Sequence, residues 1–184
     1  MDIPQLAQQI KVLVCDVDGV LTDGAIIYGN GGSELKAFNS RDGLAIKLAG
    51  LSGLPVVWLT GRSSEAVARR GRELDARVWQ GVAEKAAGLR RIADDLGITL
   101  AEIAYIGDDL NDLPALRLAG LPIAVADAMP EVIDAAAFVT NASGGRGAVR
   151  EAIELILHCQ QRWDAAVETF LAHLQGAEKD ETHQ

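Results

Sequence analysis

The stretch from Lys11 to Gly24, Lys-Val-Leu-Val-Cys-Asp-Val-Asp-Gly-Val-Leu-Thr-Asp-Gly, constrains this chain more than any other. Val12 to Cys15 is a short β-branched apolar run, the pattern of a strand buried on both faces, and Gly19 signals that the strand ends soon after. Asp16 and Asp18 therefore fall at its carboxyl end. Residues two apart on extended backbone point to one side, and two carboxylates held together repel unless a cation or a shared proton joins them. An Asx-type turn closing the strand is the plainer alternative, and the motifs further along weigh against it.

The rest of the chain repeats the pattern of apolar run, polar strand end and helix. Ala25 to Tyr28 and Glu34 to Phe38 flank Gly29-Asn30-Gly31-Gly32, a hairpin signal, so a flap over about 25–38 should project from the first strand's carboxyl end. Asn39-Ser40-Arg41-Asp42-Gly43 leads into a short helix, Leu44 to Ala49, whose amino end, beside Arg41 and Lys47, is either an anion site or a plain solvated surface. Pro55 to Thr60 reads as a second buried strand, and Gly61-Arg62-Ser63 turns into a helix from about Ser64 to Leu74. Arg77 to Trp79 is a weak strand. Glu84 to Leu96 is a helix stopped by Gly97, with Lys85 in its first turn and Thr99 and Glu102 spaced as a capping box. Glu102 to Ile106 is a strand ending in Gly107-Asp108-Asp109-Leu110-Asn111-Asp112, followed by a helix to about Leu118. Leu121 to Val125 and Ala137 to Val139 complete the strands, and one long amphipathic helix is expected from Ala148 to Leu174. Strands alternating with helices at this spacing give an α/β fold, a Rossmann-like three-layer sandwich with a mostly parallel sheet, in which ligands bind beyond the strands' carboxyl ends.

A length of 184 residues suits one domain, expected over 1–177, with a polar tail at 178–184 expected to be disordered. The formal charge of −9 and the few aromatic rings argue against a nucleic-acid surface. Cys15 and Cys159 have no metal-ligand spacing and read as reduced packing residues. A secretion signal and a run of about 18 apolar residues are both missing, so a cytoplasmic chain without a membrane partner is expected.

Asp16, Asp18, Thr60, Lys85, Asp108, Asp109 and Asp112 all fall at the same sheet edge. So many carboxylates need a hard divalent cation with oxygen ligands, most simply Mg²⁺. With a metal, a lysine and hydroxyl donors to offset charge, one aspartate can attack a phosphoryl group, Thr60 and Lys85 supplying the donors. Asp18 is placed to protonate the leaving oxygen and then to deprotonate the water that hydrolyses the acyl phosphate. The expected reaction is phosphomonoester hydrolysis.

These residues resemble the four motifs of the haloacid dehalogenase superfamily: Asp-Val-Asp-Gly-Val-Leu-Thr-Asp-Gly, Leu-Thr-Gly-Arg, Lys85, and Gly-Asp-Asp-Leu-Asn-Asp-Leu-Pro. Within it the chain is similar over most of its length to the Kdo 8-phosphate phosphatases. That likeness includes Gly-Asn-Gly-Gly, Phe-Asn-Ser-Arg-Asp-Gly, Gln80-Gly81, Val-Ala-Asp-Ala and Gly-Gly-Arg-Gly-Ala-Val-Arg-Glu. The resemblance implies Asp16 as nucleophile, Asp18 as acid and base, and Mg²⁺ held by Asp16, Asp108 and the Asp18 carbonyl. Asp112 would steady Lys85 or a metal-bound water, with Asp109 beside it. It further implies a sugar acid phosphate substrate on the cytoplasmic supply route to the lipopolysaccharide inner core, and a homotetramer in which a neighbour's hairpin and carboxyl-terminal segment cover the site. Neither gap that carries a cap domain in the superfamily is long enough to hold one here, and Gly144 to Gly147 would belong either to the cover or to a plain turn.

For specificity, Arg62 and Arg70 are eight residues apart, so one helix would carry both on nearly one stripe towards the site mouth, where they could pair with the substrate carboxylate. By the same resemblance Asn39, Arg41, Asp42, Gly43, Lys47, Gly61 and Asn111 are candidates for substrate contacts, beside Asp18 and Lys85. Three other readings compete: a phosphatase of a nine-carbon sugar acid phosphate such as sialic acid 9-phosphate, a signalling receiver, and a non-catalytic oligomerisation module. A receiver takes its acid pair and its phosphorylated aspartate from different strands, whereas Asp16 and Asp18 share one.

Overall fold

The computed structural model describes residues 2–181. In chain order its strands are β1 (Val12–Cys15), β2 (Ile27–Tyr28), β3 (Glu34–Leu35), β4 (Val56–Leu59), β5 (Arg77–Trp79), β6 (Ile103–Gly107), β7 (Leu121–Ala124) and β8 (Phe138–Val139). Its helices are α1 (Ile3–Gln8), α2 (Ser40–Leu51), α3 (Glu65–Glu73), α4 (Lys85–Leu96), α5 (Leu113–Leu116), α6 (Pro130–Ala135), α7 (Ala148–Cys159) and α8 (Trp163–Glu181).

Six strands form one sheet in the order β5-β4-β1-β6-β7-β8, every neighbouring pair parallel. The chain starts in the middle of the sheet, winds outwards through β4 and β5, then crosses back to β6 and winds the other way. The reversal opens a crevice between the carboxyl ends of β1 and β6, where open sheets of this topology bind ligands. β1, β4, β6 and β7 are buried along their whole length, as apolar runs covered by helices on both faces must be. On one face α2 packs against α7 and α8, and α1 against α7; on the other α4 packs on α5 and β4, and α5 on β6 and α6.

The flap pairs only at Ile27 with Leu35 and Tyr28 with Glu34, a shorter ladder than the flanking runs suggested. It is the whole insertion between β1 and α2, and no cap domain is present among the described residues.

Two of the expected helices take other bounds, and α1 and α6 form where no helix was expected. α2 begins at Ser40, a full turn before Leu44, because the Asn39 side chain caps it by accepting the Arg41 N–H at 2.8 Å. Asp42 and Gly43 are thereby helical, and a Cβ on Gly43 would meet Arg70 Nη2 at 2.4 Å. The expected helix from Ala148 to Leu174 is two helices. α7 ends where Gln161 takes a left-handed conformation, φ 57°, and the Arg162 N–H reaches back to the Leu157 carbonyl at 2.8 Å. That closure ordinarily announces itself with glycine, and here glutamine adopts it. The neighbouring Gln160 side-chain amide supports it by donating to the carbonyls of Ala7 and Ile10, at 3.0 and 2.7 Å. α8 continues through Glu181, into the segment expected as a disordered tail, whose last residues, 182–184, lie outside the described residues.

Candidate active site

Asp16 follows β1 directly, and its N–H donates to the Ile106 carbonyl on β6 at 3.0 Å, so the two strand ends are locked in register. The turn after it depends on Gly19, φ 95°, where a Cβ would lie 2.0 Å from Asp108 Oδ2. Only glycine lets the first acidic loop and the fourth motif come this close.

Lys85, the first residue of α4, reaches inward with its side chain almost fully buried. Its Nζ lies 2.8 Å from Asp16 Oδ1 and 2.6 Å from Asp112 Oδ1. Burial works to lower the pKa of this ammonium, but the two carboxylates outweigh it and the net direction is up. Asp112 is fully buried, and both its oxygens are taken: Oδ1 by Lys85 and by Tyr105 Oη, Oδ2 by the N–H groups of Asp108 and Asp109 at 3.0 and 3.3 Å.

Asp16, Asp108 and Asp112 each bring an oxygen within 4.8 Å of the others. Burial, and then the charge of Asp112, raises Asp16 to about 6; burial, and then the charges of Asp16 and Asp112, raises Asp108 to about 8. Asp108 Oδ1 is buried without a hydrogen-bond partner among the described residues. One ammonium against three carboxylates, with an unpaired buried acceptor, fits a hard divalent cation held by oxygen. Since Asp112 is already saturated, the oxygens left for such an ion belong to Asp16 and Asp108. The Asp18 carboxylate turns to Lys36 on the flap, which leaves its backbone carbonyl, the group expected beside the metal, as the oxygen it could offer an ion.

Asp16, Asp18, Thr60, Gly61, Arg62, Lys85, Asp108, Asp109 and Asn111 line one cleft of about 260 Å³, with Gly24 on its rim. Thr60 is buried at the end of β4, its Oγ1 accepting the Arg62 N–H at 3.2 Å. Gln80 and Gly81 steady the same turn: Gln80 Oε1 accepts the Ser64 N–H at 2.7 Å, and the Gly81 N–H donates to the Arg62 carbonyl at 3.1 Å.

The other expected contacts lie elsewhere. Arg62 precedes α3, so it shares no helical stripe with Arg70. Arg70 turns inward against Gly43 and bonds Glu73 at 3.1 Å. Asp42 is buried and accepts the Arg150 N–H at 2.8 Å, with the Gly147 and Val149 N–H groups also turned to it; it caps the amino end of α7. Lys47 lines a separate cavity beside Phe170 and His173 of α8. Asn39 borders a hollow with Asp23 and Arg146, and Arg41 is exposed on the first turn of α2. Gly144 and Gly145 back the nucleophile loop: the Gly145 N–H donates to the Val20 carbonyl at 2.8 Å, and Asp127 Oδ1 accepts the Gly144 N–H at 2.9 Å.

Over 166 residues the chain is 44% identical to the 3-deoxy-D-manno-octulosonate 8-phosphate phosphatase KdsC of Escherichia coli, a match covering 90% of this chain and 88% of that one. Residues 74–153 match the haloacid dehalogenase-like hydrolase family. The chain belongs to that family. Among solved haloacid dehalogenase-like hydrolases, it is similar to the 3-deoxy-D-manno-octulosonate 8-phosphate phosphatase of Moraxella catarrhalis, in complex with magnesium, phosphate and KDO. The TM-score is 0.88, with 44% identity and 92% and 98% of the two chains covered. A hydrolase of the same superfamily from Legionella pneumophila gives a TM-score of 0.90 at 39% identity, covering 92% of this chain and 94% of that one.

Sequence reading missed three members of the haloacid dehalogenase-like site. Tyr105 sits in an apolar run and reads as core, although its hydroxyl is committed to Asp112. Lys36 and Glu34 lie on the flap and pair with Asp18 and Arg62, as only the folded hairpin reveals. The alternation of a charged residue with Leu35 on a strand was the available signal.

Proposed function

We propose that this chain is a Mg²⁺-dependent phosphomonoesterase that hydrolyses Kdo 8-phosphate to Kdo and phosphate through an aspartyl phosphate on Asp16. The carrying observation is Lys85 Nζ bridging Asp16 and Asp112, at 2.8 and 2.6 Å, beside the unpaired buried oxygen of Asp108.

Asp16, Asp108 and the Asp18 carbonyl would hold Mg²⁺, which would supply positive charge to offset that of the phosphoryl oxygens. Asp16 attacks phosphorus with the oxygen that Lys85 does not hold. An ammonium has three donors; Asp16 and Asp112 take two, which leaves one for the phosphoryl group. Thr60 Oγ1 adds a hydroxyl donor at the same strand edge. As the bond from phosphorus to the sugar oxygen breaks, its electron pair leaves on that oxygen, and Asp18 supplies the proton. The Asp18 carboxylate then takes a proton from water, whose oxygen attacks phosphorus, and the bond to Asp16 breaks to release phosphate. Arg62 and Asn111 on the cleft wall meet the sugar acid.

The flap exposes Ile26, Ile27, Tyr28 and Leu35, at 47%, 47%, 74% and 55%, an apolar surface that suits burial against a second copy. A homotetramer in which a neighbour covers the cleft and excludes water from the acyl phosphate follows from this reading. No described helix is long and apolar enough to cross a membrane. We place the enzyme in the cytoplasm, as one catalytic domain supplying Kdo to the lipopolysaccharide inner core.

Phosphate release is measured from Kdo 8-phosphate, sialic acid 9-phosphate and neutral sugar phosphates, with Mg²⁺ and with chelator. Preference for Kdo 8-phosphate, lost in chelator and in Asp16→Asn, is the expected result. Parental turnover by Asp16→Asn would overturn the mechanism, and preference for the nine-carbon substrate would overturn the specificity. Light scattering checks the tetramer.

A further inference from the structure

Lys36 stands just beyond β3, and its side chain has no exposed surface, 0%. A buried ammonium is unfavourable unless opposite charges compensate it. Two do: Lys36 Nζ donates to Asp18 Oδ1, and Glu34 Oε1 lies 3.0 Å away. The other oxygen of Glu34 accepts from Arg62 Nη2 at 2.5 Å, and Arg62 Nε is 4.0 Å from the second oxygen of Asp18. Asp18, Lys36, Glu34 and Arg62 therefore close a ring of alternating charge that sums to zero. Burial works to lower the pKa of Lys36, but the carboxylates of Asp18 and Glu34 outweigh it and the net direction is up, while Arg62 and then Lys36 hold Glu34 below its ordinary range.

The ring joins two unlike bodies. Glu34 and Lys36 belong to a hairpin that pairs at two positions, too little to stand alone. Asp18 and Arg62 belong to the sheet edge and line the cleft. Through the ring the flap is fixed to the body, and the Asp18 carboxyl is held by a residue that lies outside the cleft lining. Among the described residues Asp18 is the one cleft carboxylate tied to the flap; Asp16 and Asp112 are tied to Lys85, from α4.

We propose that Lys36 is a positioning residue for the acid and base step. It holds one oxygen of Asp18 so that the carboxyl meets the leaving sugar oxygen, and its charge stands against the negative charge left on Asp18 once the proton has moved. The inference rests on the proposed phosphatase reaction. In that step the bond from phosphorus to the sugar oxygen breaks with its electron pair on oxygen, and the Asp18 proton is transferred to it. An aryl leaving group carries its own charge away and needs no such proton, so it should be indifferent to Lys36.

The test compares parent and Lys36→Met on Kdo 8-phosphate, a neutral hexose 6-phosphate and p-nitrophenyl phosphate, reading kcat/KM, which reports the phosphoryl transfer to the enzyme. General acid catalysis contributes about 10²–10⁴-fold, so partial misplacement of the acid should lower both alkyl esters by about ten- to a hundredfold and the aryl ester by less than about threefold. Comparing substrates within one preparation keeps the result independent of any misfolded fraction, which scales all three alike. Equal loss on all three would overturn the inference in favour of a structural role. Loss confined to Kdo 8-phosphate would overturn it in favour of direct carboxylate binding. A parent inactive on Kdo 8-phosphate but active on the other two sinks the substrate assignment and leaves the Lys36 comparison intact.

Discussion

Tyr105 Oη and Lys85 Nζ converge on one oxygen, Oδ1 of Asp112, at 2.5 and 2.6 Å. The carboxylate ties together β6, the start of α4 and the loop carrying Asp108, and it lies outside the cleft lining, so it supports the site from behind. Asp112→Ala leaves a buried ammonium and a buried phenol short of a partner and should cost about 3–5 kcal/mol. Tyr105→Phe removes one neutral donor and should cost about 1 kcal/mol. Urea unfolding of both variants checks the order, and an Asp112→Ala midpoint equal to the parent's would refute it.

If Asp16 and Asp108 hold Mg²⁺ as proposed, metal and protons compete for the same carboxyls. Asp16 at about 6 and Asp108 at about 8 both lie above the value of about 3.9 for an unfolded chain. Raised values mean that these two carboxyls hold more protons in the folded apo-protein than in the unfolded chain, so the stability they contribute is fully present below the unfolded value and is lost as pH climbs through about 6 and about 8. Bound Mg²⁺ removes that penalty and must displace those protons. The rise in melting temperature on adding Mg²⁺ should therefore be small near about pH 5.5 and larger near about pH 8.5. Thermal scans in chelator and in Mg²⁺ across that range decide it, and a flat difference would show that these carboxyls do not hold the ion.

Much of this was legible in the sequence because the signals are local. Val12 to Cys15, the turn at Gly19, and Lys85 at the head of a helix each announce a strand end or a helix start. Side-chain direction and long-range partners were not legible. Asp42 and Arg150 are 108 residues apart, and no spacing rule says that one caps the helix of the other. A spacing of eight residues suggests one helical stripe for Arg62 and Arg70 only if both are helical, and Arg62 lies in the turn before α3. Lys36 finds Asp18 through a hairpin whose strands are two residues long, too short for periodicity to set their register.

The glycine run after β8 should be intolerant of any side chain. A Cβ on Gly144 would lie 1.8 Å from the Gly19 carbonyl oxygen and 3.1 Å from that of Thr22, and both obstacles are backbone. Gly144→Ala must push the loop behind Asp18 out of place, with an expected cost of about 2–4 kcal/mol and a fall in kcat. Denaturant unfolding and steady-state rates read both effects. Parental values for the two together would show that the loop can move freely.

Asp42 and Arg70, both matched by resemblance to substrate contacts, face one interior slot. Asp42, Arg70 and Trp58 line it, and Asp42 Oδ2, Arg70 Nε and Trp58 Nε1 are buried without partners among the described residues. Asp42 is occupied at its other oxygen by the amino end of α7, and Arg70 is bonded to Glu73. Neither residue lines the cleft that holds Asp16. Asp42→Ala removes a helix cap and should cost about 1–2 kcal/mol. If their work is structural, Asp42→Ala and Arg70→Ala should each change KM for Kdo 8-phosphate and for p-nitrophenyl phosphate by the same factor. If either carries the substrate carboxylate, only the sugar acid loses affinity, because the aryl ester has no carboxylate to lose. A selective rise in KM for Kdo 8-phosphate in Arg70→Ala, at parental stability, would mean that the arginine leaves Gly43 when substrate arrives.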